Sequence, residues 1–151
     1  MKALIFHIGP DRYAIRLAAI ARVLPLLELK QLPLAPHGVA GLLDYHGASV
    51  PVIDLCRLAG MPAAPQHYDT RIVLLDYAGA DGAAHLLGLL AQGVRGVQEL
   101  APEALGDSGV LAAPFLGQVA GDADGMLQLV EVGQLLPESL RAQLFPAGAA
   151  P

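Results

Sequence analysis

Histidine and serine side chains are the groups from which an acid–base or nucleophilic site in this chain would have to be built. The histidines are residues 7, 37, 46, 67 and 85, and the serines are residues 49, 108 and 139. The histidines do not show the His-x-His, His-x-x-x-His or His-Glu-x-x-His spacings that hold metals, and no serine lies in Gly-x-Ser-x-Gly. We therefore expect no metal site and no serine nucleophile.

One local group has the residue types of a catalytic triad. His46, Ser49 and Asp54 lie within nine residues of one another. The segment from Ala48 to Leu55 has the character of a strand, in which residues an odd number of positions apart point to opposite faces. Ser49 and Asp54 are five positions apart, so we predict that they point to opposite faces and form no triad.

The cysteine and glycine patterns do not favour cofactor chemistry either. Cys56 is the only cysteine, so the chain forms no internal disulfide, and we interpret the side chain as a small buried hydrophobe. Neither Gly-x-x-x-x-Gly-Lys nor Gly-x-Gly-x-x-Gly occurs. Asp122, Asp124 and Gly125 resemble the start of a calcium loop but lack the closing Glu at the required spacing, and they predict a turn. We expect no cofactor.

Size and composition indicate one packed, soluble domain. The chain has 151 residues, of which 54% are hydrophobic and 15% charged. No apolar run approaches the roughly 20 residues that span a membrane. The net charge is −5, with five Lys/Arg against three Asp/Glu in residues 1–50 and one against six in residues 101–151. Nucleic acid is a poor partner for such a chain, and the lone cysteine and lack of a secretion signal predict a cytoplasmic location.

Short alternating or buried apolar segments predict about nine strands and little helix. The halves 1–60 and 70–137 each hold several of them, which favours an all-β fold with two small barrels that share one core. Proline placement suggests an edge strand over 22–27 and an edge-strand Pro51. The pattern further predicts one helical turn at 56–60, a linker at 61–67, an irregular stretch at 101–114, a helix over 133–144 and a frayed tail at 146–151.

Several segments together resemble the CheW-like coupling proteins of bacterial chemosensory systems. The most specific runs from Gly47 to Leu55 and reads Gly-Ala-Ser-Val-Pro-Val-Ile-Asp-Leu. The others are Leu4–Ile15, Leu32–Leu42, Ile72–Leu75, Gly88–Val97 and Met126–Val132. The resemblance covers residues 3 to about 137. It implies one domain over 1–145 with two five-stranded β-barrel subdomains, at about 15–65 and 70–130, which the termini complete.

The resemblance also implies a function without chemistry. Such adaptors link the cytoplasmic tip of a methyl-accepting chemoreceptor to the regulatory domain of a CheA-like histidine kinase, in arrays at the membrane and without inserting into it. Carried over to this chain, the implied partner-binding residues are Ile20, Arg22, Val23, His46, Gly47, Val94 and Val97. For each aliphatic residue the alternative is plain core packing. By the same comparison, Gly41, Pro51 and Asp54 are interpreted as architectural residues.

Two departures from the family pattern concern charge. The family often has Asn-Leu-Arg-Gly where this chain has Asp-Tyr-His-Gly at 44–47, and it frequently has Glu where this chain has Arg22. Charges at the rim of an interface decide which partner docks. We therefore expect a different receptor and kinase pair, as in alternative chemosensory pathways with a cyclic-di-GMP output. Protonated His46 would add positive charge beside Arg22; the alternative is an exposed turn histidine without a role.

Two other classes of function stay open at this point. A β-barrel carrier or sensor of small ligands would need a large closed cavity lined by the many Leu and Val side chains. A hydrolase on an unfamiliar all-β fold would need a nucleophile and a base within reach of each other.

Overall fold

Nine strands make up most of the described part of the chain in the computed structural model, which describes residues 1–62, 69–110, 114–122 and 124–146. They are β1 (Lys2–Ile8), β2 (Asp11–Arg16), β3 (Ile20–Pro25), β4 (Val39–Tyr45), β5 (Ala48–Asp54), β6 (Arg71–Ala78), β7 (Ala84–Glu99), β8 (Leu116–Asp122) and β9 (Gly125–Val130). The helices are α1 (Leu55–Leu58) and α2 (Glu138–Leu144), with 3-10 turns at Leu17–Ala19, Pro102–Ala104 and Val132–Gln134. None of the helices in these ranges is long and apolar enough to cross a membrane.

The strands form two five-stranded sheets that share β7. Sheet I has the order β4-β5-β7-β6-β3 and uses residues 84–91 of β7. Sheet II has the order β7-β1-β2-β9-β8 and uses residues 92–99 of β7. The mostly β fold with two five-stranded halves is therefore confirmed. The strand pairing places β6 and the first half of β7 with β3–β5, whereas the sequence divides the chain near residue 70.

Three hydrophobic clusters hold the sheets together. A central cluster lies between the sheets, and each sheet packs a smaller cluster of its own on its other face. In β6 the alternation is strict, with Val73 in the central cluster and Ile72 and Leu74 in the cluster of sheet I. Because both faces of β6 are covered, the apolar run Ile72–Leu75 is continuous and fully buried. One shared core was expected; the structure adds one inside each half.

The contact between β5 and β7 explains why Gly88 is a glycine and why a proline is tolerated at position 51. A Cβ at Gly88 would lie 2.7 Å from Val52 Cγ2, so a larger residue there would push the two strands apart. Pro51 is not an edge-strand proline as expected, because β5 lies between β4 and β7. The β5–β7 pairing begins only at Val52, so the N–H that proline lacks is not needed for the pairing with β7.

The C-terminal helix is shorter than the sequence predicts. A helix over 133–144 was expected, but α2 begins at Glu138, after Pro137 in the N-cap position, and residues 132–134 form a 3-10 turn. Proline disfavours helical backbone in the residue before it. The apolar residues at helical spacing before and after Pro137 therefore do not form one continuous helix. The predicted linker 61–67 and tail 146–151 lie largely outside the described residues, as do positions 111–113 of the irregular stretch.

The end of α2 is fastened to the β6–β7 hairpin. The Arg141 guanidinium donates hydrogen bonds to the carbonyl oxygens of Ala78 at 3.2 Å and Gly79 at 3.0 Å. The ring of Phe145 stacks on that of His85, with centroids 4.6 Å apart and planes 17° apart. These contacts hold α2 in place against the hairpin, although the helix has only seven residues.

Candidate partner-binding surface

Strand β3 carries three of the predicted partner-binding residues, and a bulge decides where they point. Ile20 pairs with Leu75, Arg22 with Leu74 and Val23 with Val73, with a register shift between Ile20 and Arg22. Directly paired residues share a face. Leu75 and Val73 belong to the central cluster, while Leu74 belongs to the cluster of sheet I.

The bulge therefore places Ile20 and Val23 on one face of β3, although they are three positions apart. Arg22 points to the other face and is exposed. Ile20 packs partly against the central cluster, whereas 40% of Val23 is exposed. Of the two aliphatic side chains, Val23 is the more available to a partner. The predicted edge strand is confirmed, with β3 at the end of sheet I, but it spans Ile20–Pro25 and not 22–27 because its pairing with β6 ends at Pro25.

The second half of β7 carries Val94 and Val97. Val94 packs partly against the central cluster, and 53% of Val97 is exposed. Val97 pairs with Leu4, a member of the central cluster, so it shares the face that sheet II turns toward sheet I. Each sheet thus presents one partly exposed valine on the face turned toward the other sheet.

Gly93 bends β7 at the point where it passes between the sheets. Its φ of 56° lies in the left-handed region, which glycine adopts without steric cost. A Cβ at this position would lie 2.7 Å from His7 Nδ1, the ring atom that lies 3.0 Å from the Gly93 carbonyl oxygen. Both the backbone angle and the neighbouring ring require glycine here. Because Gly93 is held in this conformation, the next residue, Val94, has a defined position in β7.

His46 and Gly47 form the two-residue turn of the β4–β5 hairpin. Both have positive φ, 52° and 84°, as in the type I′ turns that fit strand twist. The Gly47 N–H donates to Asp44 Oδ1 at 3.0 Å, and the His46 ring meets Tyr45 edge-on at 4.4 Å between centroids. The predicted reversal at Gly47 is confirmed, and its conformation is fixed by local contacts.

The hairpin tip lies far from the valines of β7. Val52 of β5 is level with Gly88 of β7 in a parallel pair; Gly47 lies five residues before Val52, and Val94 lies six residues beyond Gly88. These displacements run in opposite directions and amount to roughly 35 Å of extended chain. His46 and Arg22 make no hydrogen bond or ring contact with each other in the described structure. The hairpin tip with His46 and Gly47 is therefore separate from the β7 residues Val94 and Val97.

Cys56 and Asp54 have structural roles. Cys56 is 6% exposed, and burial raises the pKa of its thiol, with a smaller contribution from the negative charge of Asp54. The thiol therefore stays protonated and is a poor nucleophile. Asp54 Oδ1 caps α1 by accepting from the Cys56 N–H at 3.0 Å. Ser49 is exposed while Asp54 is buried, which agrees with the predicted opposite faces of β5. No group of three or more His, Cys, Asp or Glu in the described ranges is placed to hold a metal.

Several apolar residues outside the predicted set are also exposed, among them Leu17 and Leu34. Leu17 is 37% exposed in the 3-10 turn that contacts both β1 of sheet II and β6 of sheet I. Leu34 is fully exposed at 102%, with a φ of 55°. Its neighbourhood of prolines predicts an irregular segment but does not indicate which side chain faces solvent.

Comparison with known proteins gives one consistent result. The family model described as the CheW-like domain matches residues 2–140. A curated relative, the chemotaxis protein CheW of Klebsiella aerogenes, is 24% identical over an alignment of 139 residues, and the match covers 88% of this chain and 80% of the relative. The crystal structure of the scaffolding protein TtCheW from Thermoanaerobacter tengcongensis matches with a TM-score of 0.80 at 20% identity, over 90% of this chain and 87% of that chain.

Proposed function

The chain belongs to the CheW-like domain family, whose members are non-enzymatic scaffolds of chemotaxis signalling, and from that premise we propose that it couples chemoreceptors to a histidine kinase. In this proposal it holds the cytoplasmic tip of a methyl-accepting receptor together with the regulatory domain of a CheA-like kinase. It acts in the cytoplasm, at membrane-associated receptor arrays.

The observation that carries the proposal is the pair of partly exposed valines on facing sheets. Val23 of sheet I and Val97 of sheet II are 40% and 53% exposed, and each pairs with a residue of the central cluster. Partly exposed apolar side chains on the facing sides of two sheets suit the apolar stripe of a helix. A receptor tip supplies such helices, so we assign the receptor to this face.

The charged group on the other face of β3 suits a choice between partners. Arg22 is exposed there, and His46 and Gly47 form a separate exposed tip. Rim charges change association rate and specificity more than affinity. We propose that Arg22 and the 44–47 tip select the cognate receptor and kinase, and that the pathway controls cyclic-di-GMP rather than motility.

Receptor binding is the first test. Val23→Ser and Val97→Ser should each weaken binding to a receptor-tip fragment by about tenfold, because a buried aliphatic anchor is worth about 1.5–3 kcal/mol. The matched control is Val110→Ser, which changes a 71% exposed valine outside both sheets and should leave binding unchanged. Affinities are measured by calorimetry with the kinase regulatory domain present and absent. Equal affinity for all three variants would contradict the assignment of this face.

The pathway is tested separately in cells. Deleting the gene should change the cyclic-di-GMP level and leave swimming intact. The reverse result assigns the chain to a motility pathway and contradicts this part of the proposal, while the coupling role still depends on the binding test.

The carrier alternative finds no favourable observation. Two cavities lined by described residues measure about 370 Å³ and 300 Å³ and are open to the surface. The larger one is lined partly by the charged residues Arg16, Asp76 and Glu131. The apolar side chains on the other face of each sheet pack against one another in their own clusters.

A further inference from the structure

A bulge in β7 adjoins a recess in sheet II. Between the pairs Ile5–Gly96 and His7–Gln92, β1 has one residue whereas β7 has three. Extra residues of this kind bend a strand and turn its side chains in a new direction. One of the three is Arg95, which is exposed. A Cβ at Gly96 would meet nothing within 4 Å, so open space lies directly over the backbone at the end of the bulge.

The recess has a volume of about 270 Å³, and its lining includes Ile5 and the polar residues His7, Arg12, Arg95, Gln98 and Asp124. Ile5 belongs to the cluster of sheet II. His7 is two positions farther along β1, and Arg12 is its direct partner in β2, so both share the face of Ile5. This face is opposite to the one assigned to the receptor, although Val97 lines the recess as well.

Two arginines give the recess a positive balance in an acidic chain. The Arg12 guanidinium is held in place because it donates to the Gly125 carbonyl oxygen at 2.9 Å. Arg95 makes no hydrogen bond or ion pair with the part of the chain that the structure describes. The two arginines against Asp124 leave one positive charge in the recess while His7 is neutral, and two when it is protonated. The whole chain carries a charge of −5.

The tautomer of His7 is set by its neighbour. Nδ1 lies 3.0 Å from the Gly93 carbonyl oxygen, which can only accept, so Nδ1 carries the hydrogen. Nε2 then accepts a hydrogen bond in the neutral ring and donates one in the protonated ring. The imidazole can therefore bond to an oxygen acid in either state, as acceptor from an O–H group or as donor to a charged oxygen.

We propose that this recess binds a phosphate group, either as inorganic phosphate or as part of a small phosphate ester. Guanidinium groups hold phosphate through paired hydrogen bonds. Two of them together with an imidazole match its several oxygens and its charge of about −1.5 to −2 at pH 7, whereas one arginine already satisfies both oxygens of a carboxylate. The volume lies just below the roughly 300–1,000 Å³ of drug-sized ligand sites, so the recess is too small for a dinucleotide. This site goes beyond the proposed coupling role and does not depend on it.

Titrations of the full chain, followed in amide NMR spectra at constant ionic strength, test the proposal. Inorganic phosphate and glycerol 3-phosphate should each saturate one site and shift the amide signals of Gly96 and its neighbours, and acetate should not. Constant ionic strength removes the general effect of salt on surface charges. Tighter binding of the ester would assign the site to a phosphate ester, and equal binding would assign it to inorganic phosphate. If neither compound saturates the site, or if acetate binds equally well, the proposal is wrong.

Substitution of Arg95 tests the residue on which the site depends. Arg95→Gln should weaken phosphate binding at least about tenfold, because hydrogen bonds to charged groups are among the stronger ones. Its Tm should stay unchanged, since Arg95 is exposed, and this separates lost binding from lost folding. The matched control is Arg57→Gln, which removes an exposed arginine outside the recess and should bind phosphate normally. Unchanged affinity in Arg95→Gln, or an equal loss in Arg57→Gln, would overturn the proposal.

Discussion

At the scale of single residues, backbone angle separates glycines that look alike in sequence. A Cβ would meet nothing within 4 Å at either Gly47 or Gly121. Gly47 has a φ of 84° in the β4–β5 turn, whereas Gly121 does not have a positive φ. Any difference between alanine substitutions at the two positions therefore reports backbone conformation and not steric contact.

We expect Gly47→Ala to lower the free energy of unfolding by about 1–2 kcal/mol, because an L-residue pays that cost in the left-handed region. Gly121→Ala should change it by less than about 0.5 kcal/mol or stabilise the protein slightly. Urea denaturation of both variants measures the difference. Equal free energies would mean that the hairpin turn changes its conformation to accept alanine.

At the scale of elements, the seat of α2 depends on a carboxylate in the β6–β7 turn. His85 Nε2, in the ring that stacks on Phe145, lies 2.9 Å from Asp81 Oδ2. The Ala83 N–H donates to the other Asp81 oxygen at 3.0 Å. The hydrogen bond from the Ala83 N–H makes the largest contribution to lowering the pKa of Asp81 below its ordinary value, and the hydrogen bond with the His85 side chain makes the next largest.

A lowered carboxyl pKa stabilises the fold above the pKa of the unfolded chain, and this stabilisation disappears as the pH falls through the folded value. Asp81→Asn should therefore have a lower Tm than the unmodified protein at pH 6, and the gap should close below about pH 4. Thermal melts followed between pH 2 and pH 6 measure it. A gap that stays constant to pH 2 would show that the Asp81 charge does not contribute to holding α2.

At the scale of the whole molecule, β7 joins the two halves into one folding unit. It pairs with β5 and β6 in sheet I and with β1 in sheet II, and Leu89 of β7 is fully buried in the central cluster. Leu129 is equally buried, but in the cluster of sheet II alone. Shared burial of this kind predicts all-or-none unfolding.

Leu89→Ala and Leu129→Ala should each cost about 2–5 kcal/mol, because both leave a cavity in a packed interior. In both variants, tyrosine fluorescence and far-UV circular dichroism should report one coincident transition in urea. Separate transitions in Leu129→Ala would show that sheet II unfolds independently and that the central cluster does not couple the halves.

The sequence by itself determined the strands, the turns and the family. Alternation and buried apolar runs mark strands because each strand must cover one or both of its faces, and the His46-Gly47 and Pro-flanked segments mark reversals and irregular backbone. The segment from Gly47 to Leu55 carries the family resemblance since its glycine, proline and aspartate meet local needs: a turn, a strand position without a donor and a helix cap.

Only the tertiary structure decided which face each residue occupies and which strands become neighbours. The bulge that brings Ile20 and Val23 to one face depends on pairing with β6, and the crossing of β7 between sheets depends on glycines packed against distant residues such as His7. The exposure of Leu34 was likewise hidden, because sequence patterns record apolar character and not what covers it. Long-range contacts settle these points, and a local pattern cannot contain them.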